Sequence, residues 1–257
     1  MSHAATERPP LRQRLLHQRG RVWVVGHRGA MGHSPENTMA SFERGLELGA
    51  DWIELDVHLS RDGCLMVIHD ETLDRTTNGH GLVQDYTLAE LKQLDAGAGQ
   101  QIPTLEEVLD WARQRSTVVD IEIKNGPLYY DGIEAAVVDA LRKQQMLEQV
   151  IVISFDHAAV KRIKALEDRI ATGVLYACRP TDGGAALARA ADADAVLPHW
   201  AYVTAADVRD LHEQGLAIAP WATSDPQVLK KLIADGVDAI GTNHPDVMRQ
   251  VLKERAQ

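Results

Sequence analysis

The segments VWVVGHRGAMGHSPENT (residues 22–38) and WIELDVHLSRDGCLMVIHD (52–70) decide the reading of this chain. VWVVGH (22–27) and WIELDV (52–57) are short apolar runs of strand length, and NTMASFERGLELG (37–49) between them carries a helical pattern. Strand, helix and strand in succession make a βαβ unit with its two strands parallel. LMVIHD (65–70) is a third run, but it follows an Arg-Asp-Gly turn signal with no room for a helix. The first run ends on His27 and the third on His69-Asp70, and Glu54 and Asp56 lie in the run between them.

The same rhythm continues to the end of the chain. VVDIEIK (118–124) leads into GIEAAVVDALRKQQM (132–146), VIVISF (150–155) into HAAVKRIKALE (157–167), and IATGVLY (170–176) into GGAALARAA (183–191). AVLPHW (195–200) leads into TAADVRDLHEQG (204–215), LAIAPWA (216–222) into DPQVLKKLIADG (225–236), and DAIGTNHP (238–245) into DVMRQVLKER (246–255). About eight such units in ~250 residues fit a (β/α)8 TIM barrel. Nine strand-like runs are one too many, and the irregular second unit, with a turn in place of a helix, accounts for the surplus. A doubly wound sheet is the alternative, but no GxGxxG follows the first strand. Residues 71–101 break the rhythm with turn signals at Asn78-Gly79 and His80-Gly81 and a short helical pattern after Thr87. They are expected to form a small insertion after strand three, lying over one end of the barrel and shaping substrate entry.

Residues 1–21 are polar and basic, without the apolar segment of a signal peptide, and are expected to be a loosely ordered leader to a single domain over 22–257. Of 257 residues, 45% are hydrophobic and 25% charged, enough for one large core. The net charge of −10 argues against non-specific binding to nucleic acid or to anionic membranes. An anionic substrate would therefore need local positive charge from a metal or a few placed Arg and Lys. No apolar run approaches the ~20 residues that span a bilayer, so stable membrane insertion is not expected and the chain reads as cytoplasmic. Cys64 and Cys178 show no metal spacing and no disulfide framework, and read as reduced and buried.

Alternation along a strand places Glu54 and Asp56 on one face, and Glu122 and Lys124 on one face of strand four. Inward groups at C-terminal strand ends line the mouth of a barrel. Three carboxylates converging there are costly unless paired or on a metal, and a divalent ion held by oxygen ligands resolves that cost. Mg²⁺ and Ca²⁺ both fit. Histidines at strand ends suit proton transfer near neutral pH, and cleavage of a phosphodiester needs a base at the nucleophile and an acid at the leaving oxygen. His27 and His69 can divide those roles. Arg28 suits bidentate contact with phosphate oxygens, and Gly29 permits close backbone approach. Most of the eleven histidines fall in loops or on helices, but His58 shares the parity of Glu54 and Asp56, and His199 can reach the mouth.

HRG (27–29), PENT (35–38), ELDV (54–57) and HD (69–70) resemble the glycerophosphodiester phosphodiesterase family. So do TTNGHG (76–81), IPTLEEVL (102–109), EIK (122–124), ISF (153–155), PWATSDP (220–226) and the closing GVDAIGTNHP (236–245), all in the family's order. The resemblance implies a TIM-barrel, metal-dependent hydrolase that releases glycerol 3-phosphate and an alcohol. Glu54, Asp56 and Glu122 then take metal-ligand positions, His27 and His69 acid–base positions, and Arg28 and Lys124 phosphate-contacting positions. Glu36 and Asn37 match the PENT motif, where Asn37 also reads as a helix N-cap. Phe155 and Trp221 match aromatic positions, with Trp221 expected on the alcohol. The resemblance also suggests attack by the neighbouring glycerol hydroxyl to give a cyclic phosphate, opened next by water. The chain departs from the family in Thr242-Asn243-His244-Pro245, where TDYP is usual, and in Ala222-Thr223-Ser224, where Thr-Val-Asn often follows the Trp. A lysophospholipase D-like or other lipid-headgroup phosphodiesterase is the nearest alternative. A non-catalytic phosphodiester-binding barrel and a metal-dependent sugar-phosphate isomerase or aldolase are readings of other classes.

Overall fold

The computed structural model describes Leu11 and residues 20–255. Its elements in chain order are β1 (Trp23–Gly26), α1 (Met39–Glu47), β2 (Trp52–Leu59), β3 (Leu65–Val67), α2 (Leu88–Leu91), α3 (Leu105–Arg115), β4 (Val118–Ile123) and α4 (Ile133–Gln144). There follow β5 (Val150–Ser154), α5 (His157–Leu166), β6 (Ala171–Tyr176), α6 (Gly183–Ala190), β7 (Ala195–Pro198), α7 (Ala205–Glu213), β8 (Ala217–Ile218), α8 (Pro226–Asp235), β9 (Ala239–Thr242) and α9 (Pro245–Arg255). The strands run in the order β8-β7-β6-β5-β4-β2-β1-β9, every neighbouring pair parallel. Hydrogen bonds from Asp238 N to Ile218 O and from Gly241 N to Pro220 O, both 3.0 Å, join the two ends into a barrel.

The surplus strand is β3, which pairs antiparallel with β2 outside the parallel barrel. Between β3 and β4 lies the crossover helix that the strand–helix rhythm left out, α3. Its signal stands in the sequence as a capping box. Thr104 accepts from the Glu107 amide and the Glu107 carboxylate accepts from the Thr104 amide. The insertion between β3 and α3 has a small core of its own, built on Met66, Ile68, Leu73, Val83, Leu91 and Ile102.

Strand alternation divides the main core in two. Inward side chains such as Trp23, Trp52, Val118, Ile151, Leu175 and Leu197 fill the barrel, and Leu11 is buried among them at 1% exposure. Outward side chains such as Leu55, Ile121 and Val152 pack against the helices. Apart from Leu11, Gly20 and Arg21, the expected leader lies outside the described residues. Cys64 and Cys178 are free, but Cys64 is only half-buried and Cys178 is exposed. Cys178 lies beyond the end of β6, where the chain leaves the sheet for the surface, so burial in an apolar run does not extend to it. Among the described residues no helix is long and apolar enough to cross a membrane.

Ile121 is fully buried on the outer face of β4, in the cluster that contains Leu55, Leu109 and Val137. Ile121→Ala is expected to lower unfolding free energy by about 2–5 kcal/mol through lost burial and a residual cavity, read by chemical denaturation.

Candidate active site

The register of two neighbouring strands builds the site. Glu54 on β2 lies opposite Asp120 on β4, and Asp56 lies opposite Glu122. All four face the barrel interior and all four are buried. Ligand oxygens of Glu54, Asp56 and Glu122 lie within 4.8 Å of one another, a group able to hold a metal ion. Asp120 is an addition to the acidic residues that the sequence pattern singles out, and its parity with Glu122 puts it on the same face. It lines the pocket under this group, together with His27, Glu54, Glu122, Ile153 and Trp221.

Two cations face the carboxylates. Lys124 Nζ donates to Glu122 Oε1 at 2.8 Å and lies 3.6 Å from Asp56 Oδ1. Arg28 donates its backbone amide to Glu54 Oε2 at 2.7 Å, while its Nε lies 3.6 Å from Asp56 Oδ2. This geometry depends on a left-handed turn after β1, with φ of 50° at Arg28 and 87° at Gly29. A Cβ on Gly29 would meet the backbone of Ser41 at 2.5 Å, so this glycine admits the close approach of α1. The close backbone approach expected at Gly29 is made to helix α1. Ser41 Oγ completes the joint, donating to Arg28 O and accepting from Ala30 N.

Asn37 also has a left-handed backbone, with φ of 55°. The N-cap of α1 is Thr38, whose hydroxyl accepts from the Ser41 amide. Asn37 instead donates from Nδ2 to Asp56 Oδ2 at 2.8 Å, so it orients a candidate metal ligand and is not the cap expected of it.

The two histidines flank the acidic group. The His27 ring bonds through Nδ1 to Asn243 Oδ1 at 2.7 Å, and Nε2 lies 4.0 Å from Glu54 Oε2. His69 donates from Nδ1 to Asp70 Oδ1 at 2.6 Å, and its Nε2 lies 3.2 Å from Lys124 Nζ. Burial, then the charge of Arg28, pushes His27 down to about 4. Burial also lowers His69, although the nearby Asp56 opposes the shift. The parity of His58 does bring it toward the site, but as a support. Its Nε2 donates to the His69 carbonyl at 2.9 Å and its Nδ1 pairs with the Tyr130 hydroxyl at 2.8 Å.

The carboxylates respond to burial and to each other. Burial and the Asp56 charge raise Glu54 well above the ordinary range. Burial and the Glu122 charge do the same to Asp120. Burial raises Glu122 to about 7 despite the opposing charge of Lys124. Burial acts against ionised Asp56 too, but Lys124, His69 and Arg28 outweigh it and hold its pKa low.

Aromatic side chains cover the β5–β8 side of the mouth. Trp221 donates its indole N–H to Leu197 O at 2.9 Å, and Phe155, 44% exposed, stands edge-on to it with centroids 5.4 Å apart. His199 reaches this wall, 5.1 Å from Trp221, and contacts Trp200 and Tyr202 on its other sides. Other histidines have ordinary partners: His33 with Asp246, His80 with Asp74, and His212 with Asp238.

Residues 27–247 match the model of the glycerophosphoryl diester phosphodiesterase family. A glycerophosphodiester phosphodiesterase from Caldanaerobacter subterraneus subsp. tengcongensis is 39% identical over 238 residues, 90% of this chain and 98% of that protein. One from Bacillus subtilis is 34% identical, covering 91% of this chain and 87% of that one. A phosphodiesterase from Oleispira antarctica, solved in complex with the product sn-glycerol-3-phosphate, superposes with a TM-score of 0.83 at 31% identity, covering 90% of this chain and 96% of that one.

In metal-free protein the raised pKa of Glu122 has a stability consequence. Between its ordinary value of 4.5 and about 7, the folded state binds more protons than the unfolded state. Its contribution therefore destabilises increasingly as pH rises through that window. Glu122→Gln is expected to remove this contribution, so that its metal-free Tm gains on that of wild type as pH rises from 5 to 7.5, read by thermal denaturation.

Proposed function

The chain belongs to the glycerophosphoryl diester phosphodiesterase family and is an enzyme of that class; on that premise we propose that it hydrolyses glycerophosphodiesters to glycerol 3-phosphate and a free alcohol, with a divalent cation and with His27 and His69 as acid and base. The observation that carries this reading is the meeting at one barrel mouth of three buried carboxylates, two histidines and two cations. The carboxylates suit a hard cation. Their oxygens converge, Asp56 Oδ1 is buried with no hydrogen-bond partner, and oxygen-only donors match Mg²⁺ or Ca²⁺. Glu54, Asp56 and Glu122 would hold the ion, which when bound supplies positive charge to the phosphoryl oxygens.

The chain's own side chains do the rest. Arg28 and Lys124 grip the phosphate and neutralise the charge that develops on it. One histidine takes the proton of the attacking hydroxyl as the new P–O bond forms. The other gives its proton to the alcohol oxygen as the old P–O bond breaks. In the reading that the family resemblance suggests, the attacking hydroxyl is the glycerol's own, and water opens the cyclic phosphate with the two roles exchanged. Asp70 holds His69 with Nε2 toward the pocket, and Asn243 does the same for His27. The wall of Phe155 and Trp221 receives the alcohol portion. One barrel domain over 22–257, working in the cytoplasm on a small-molecule substrate, completes the proposal.

The test is release of glycerol 3-phosphate from glycerophosphocholine and glycerophosphoethanolamine with Mg²⁺ or Ca²⁺, and its loss on chelation. No release from folded, metal-loaded protein would overturn the reading, and turnover of lysophosphatidylcholine in its place would move the enzyme to lipid substrates. His27→Ala and His69→Ala are each expected to lower kcat by about 10²–10⁴-fold with Tm nearly unchanged. Trp221→Ala is expected to raise KM for glycerophosphocholine more than it lowers kcat.

A further inference from the structure

The TTNGHG segment and Glu36 of PENT have no part in the chemistry above, yet they meet around one side chain. Arg75 leaves the insertion just before TTNGHG and binds two carboxylates at once. It donates from Nε to Asp70 Oδ2 at 2.6 Å and from Nη2 to Asp70 Oδ1 at 2.9 Å. It also donates from Nη1 to Glu36 Oε2 and from Nη2 to Glu36 Oε1, both at 2.8 Å. Beyond Asp70 lies His69 Nδ1 at 2.6 Å, and beyond Glu36 lies Arg28 Nη1 at 2.8 Å. A continuous chain of charge-assisted hydrogen bonds thus runs His69–Asp70–Arg75–Glu36–Arg28.

We propose that Arg75 is a positioning residue that fixes the acid–base His69 and the phosphate-gripping Arg28 relative to each other. This rests on the roles proposed for those two residues. The chemistry favours arginine at this place. A planar fork with three nitrogens in use serves two carboxylates together, which a single ammonium on a flexible stem does not do in the same geometry. Charge favours it as well. Glu36 and Asp70 carry two negative charges, and without Arg75 both would draw on Arg28 and His69 alone.

The motif around Arg75 serves to hold it. Leu73 is fully buried, and its amide donates to Gly81 O at 2.9 Å. Thr77 Oγ1 donates to Leu73 O at 2.7 Å and accepts from Gly79 N at 2.9 Å. Asn78 ties the loop to Asp95, its Oδ1 accepting from the Asp95 amide at 2.9 Å. Gly79 sits where a Cβ would meet Leu94 Cδ1 at 2.7 Å. The insertion therefore contributes a brace to the site from the side of β3.

The experiment compares Arg75→Met, Arg75→Lys and Arg75→Ala with wild type. Replacement of an outer partner of this kind is expected to lower kcat by about 10–100-fold, with a smaller change in KM. Arg75→Lys should fail to restore kcat, whereas added guanidinium at millimolar concentration should partly restore Arg75→Ala and methylammonium should not. A second readout is independent of turnover. The His69 Nδ1 proton, in its short bond to Asp70, should give a downfield proton resonance that is absent in His69→Gln and displaced in Arg75→Met. Turnover of Arg75→Met within two-fold of wild type, or an undisplaced resonance, would overturn the proposal. Wild-type protein without activity on any phosphodiester would defeat the functional reading instead, and the resonance would still decide whether Arg75 holds His69.

Discussion

Four carboxylates on two adjacent parallel strands are the constraint that the rest of the mouth answers. Glu54 beside Asp120 and Asp56 beside Glu122 are placed by the β2–β4 register, and a slip of one residue in either strand would turn that strand's pair toward the helices. Buried together they disfavour one another's ionisation, and desolvation adds to that cost. Arg28 and Lys124 offset part of it. They approach from the ends of different strands, Arg28 from the left-handed turn after β1 and Lys124 from the residue just beyond β4. Asp56 Oδ1 and Asp120 Oδ1 are buried without hydrogen-bond partners from the chain, so this pairing leaves part of the cost in place.

The remainder of the mouth can be followed outward from this acidic centre. Asn37 holds Asp56, Lys124 lies between Asp56, Glu122 and His69, and His58 holds the backbone of His69 through its carbonyl. Left-handed backbone at Arg28, Gly29 and Asn37 is concentrated in the same turn, consistent with strain held where the surroundings over-determine the chain. The β3 hairpin and the insertion behind it stand outside the barrel's symmetry. They are what allow a group not on a barrel strand, His69, to reach the mouth.

Much of this is legible in the sequence. Strand parity alone put Glu54 with Asp56 and Glu122 with Lys124, and the strand-end positions of His27 and His69 pointed both at one mouth. The readings that failed share a cause. Asn37 looks like a cap because capping is the commonest use of asparagine before a helix, and nothing local reveals that Thr38 takes the cap while Asn37 turns to Asp56. Gly29 signals a close backbone approach without saying to what, and its neighbour is Ser41, twelve residues on, brought there by the fold of α1 against the turn. Helix α3 falls outside the repeating rhythm because the insertion precedes it, and its local signal is the Thr104–Glu107 capping box.

Periodicity is a local property, and it sufficed for the repeated βα units, the extra strand and the face on which each strand residue lies. Partnerships between distant residues are not local, and packing alone chose them. His27 finds Asn243 across 216 residues of chain, because β1 and β9 are neighbours only once the barrel closes. Arg75 finds Glu36 across 39 residues for the same reason, since the insertion and the β1–α1 turn meet only above the finished sheet. A side chain's type limits what it can bind, but which of its possible partners it meets is decided by the sum of burial and pairing over the whole fold.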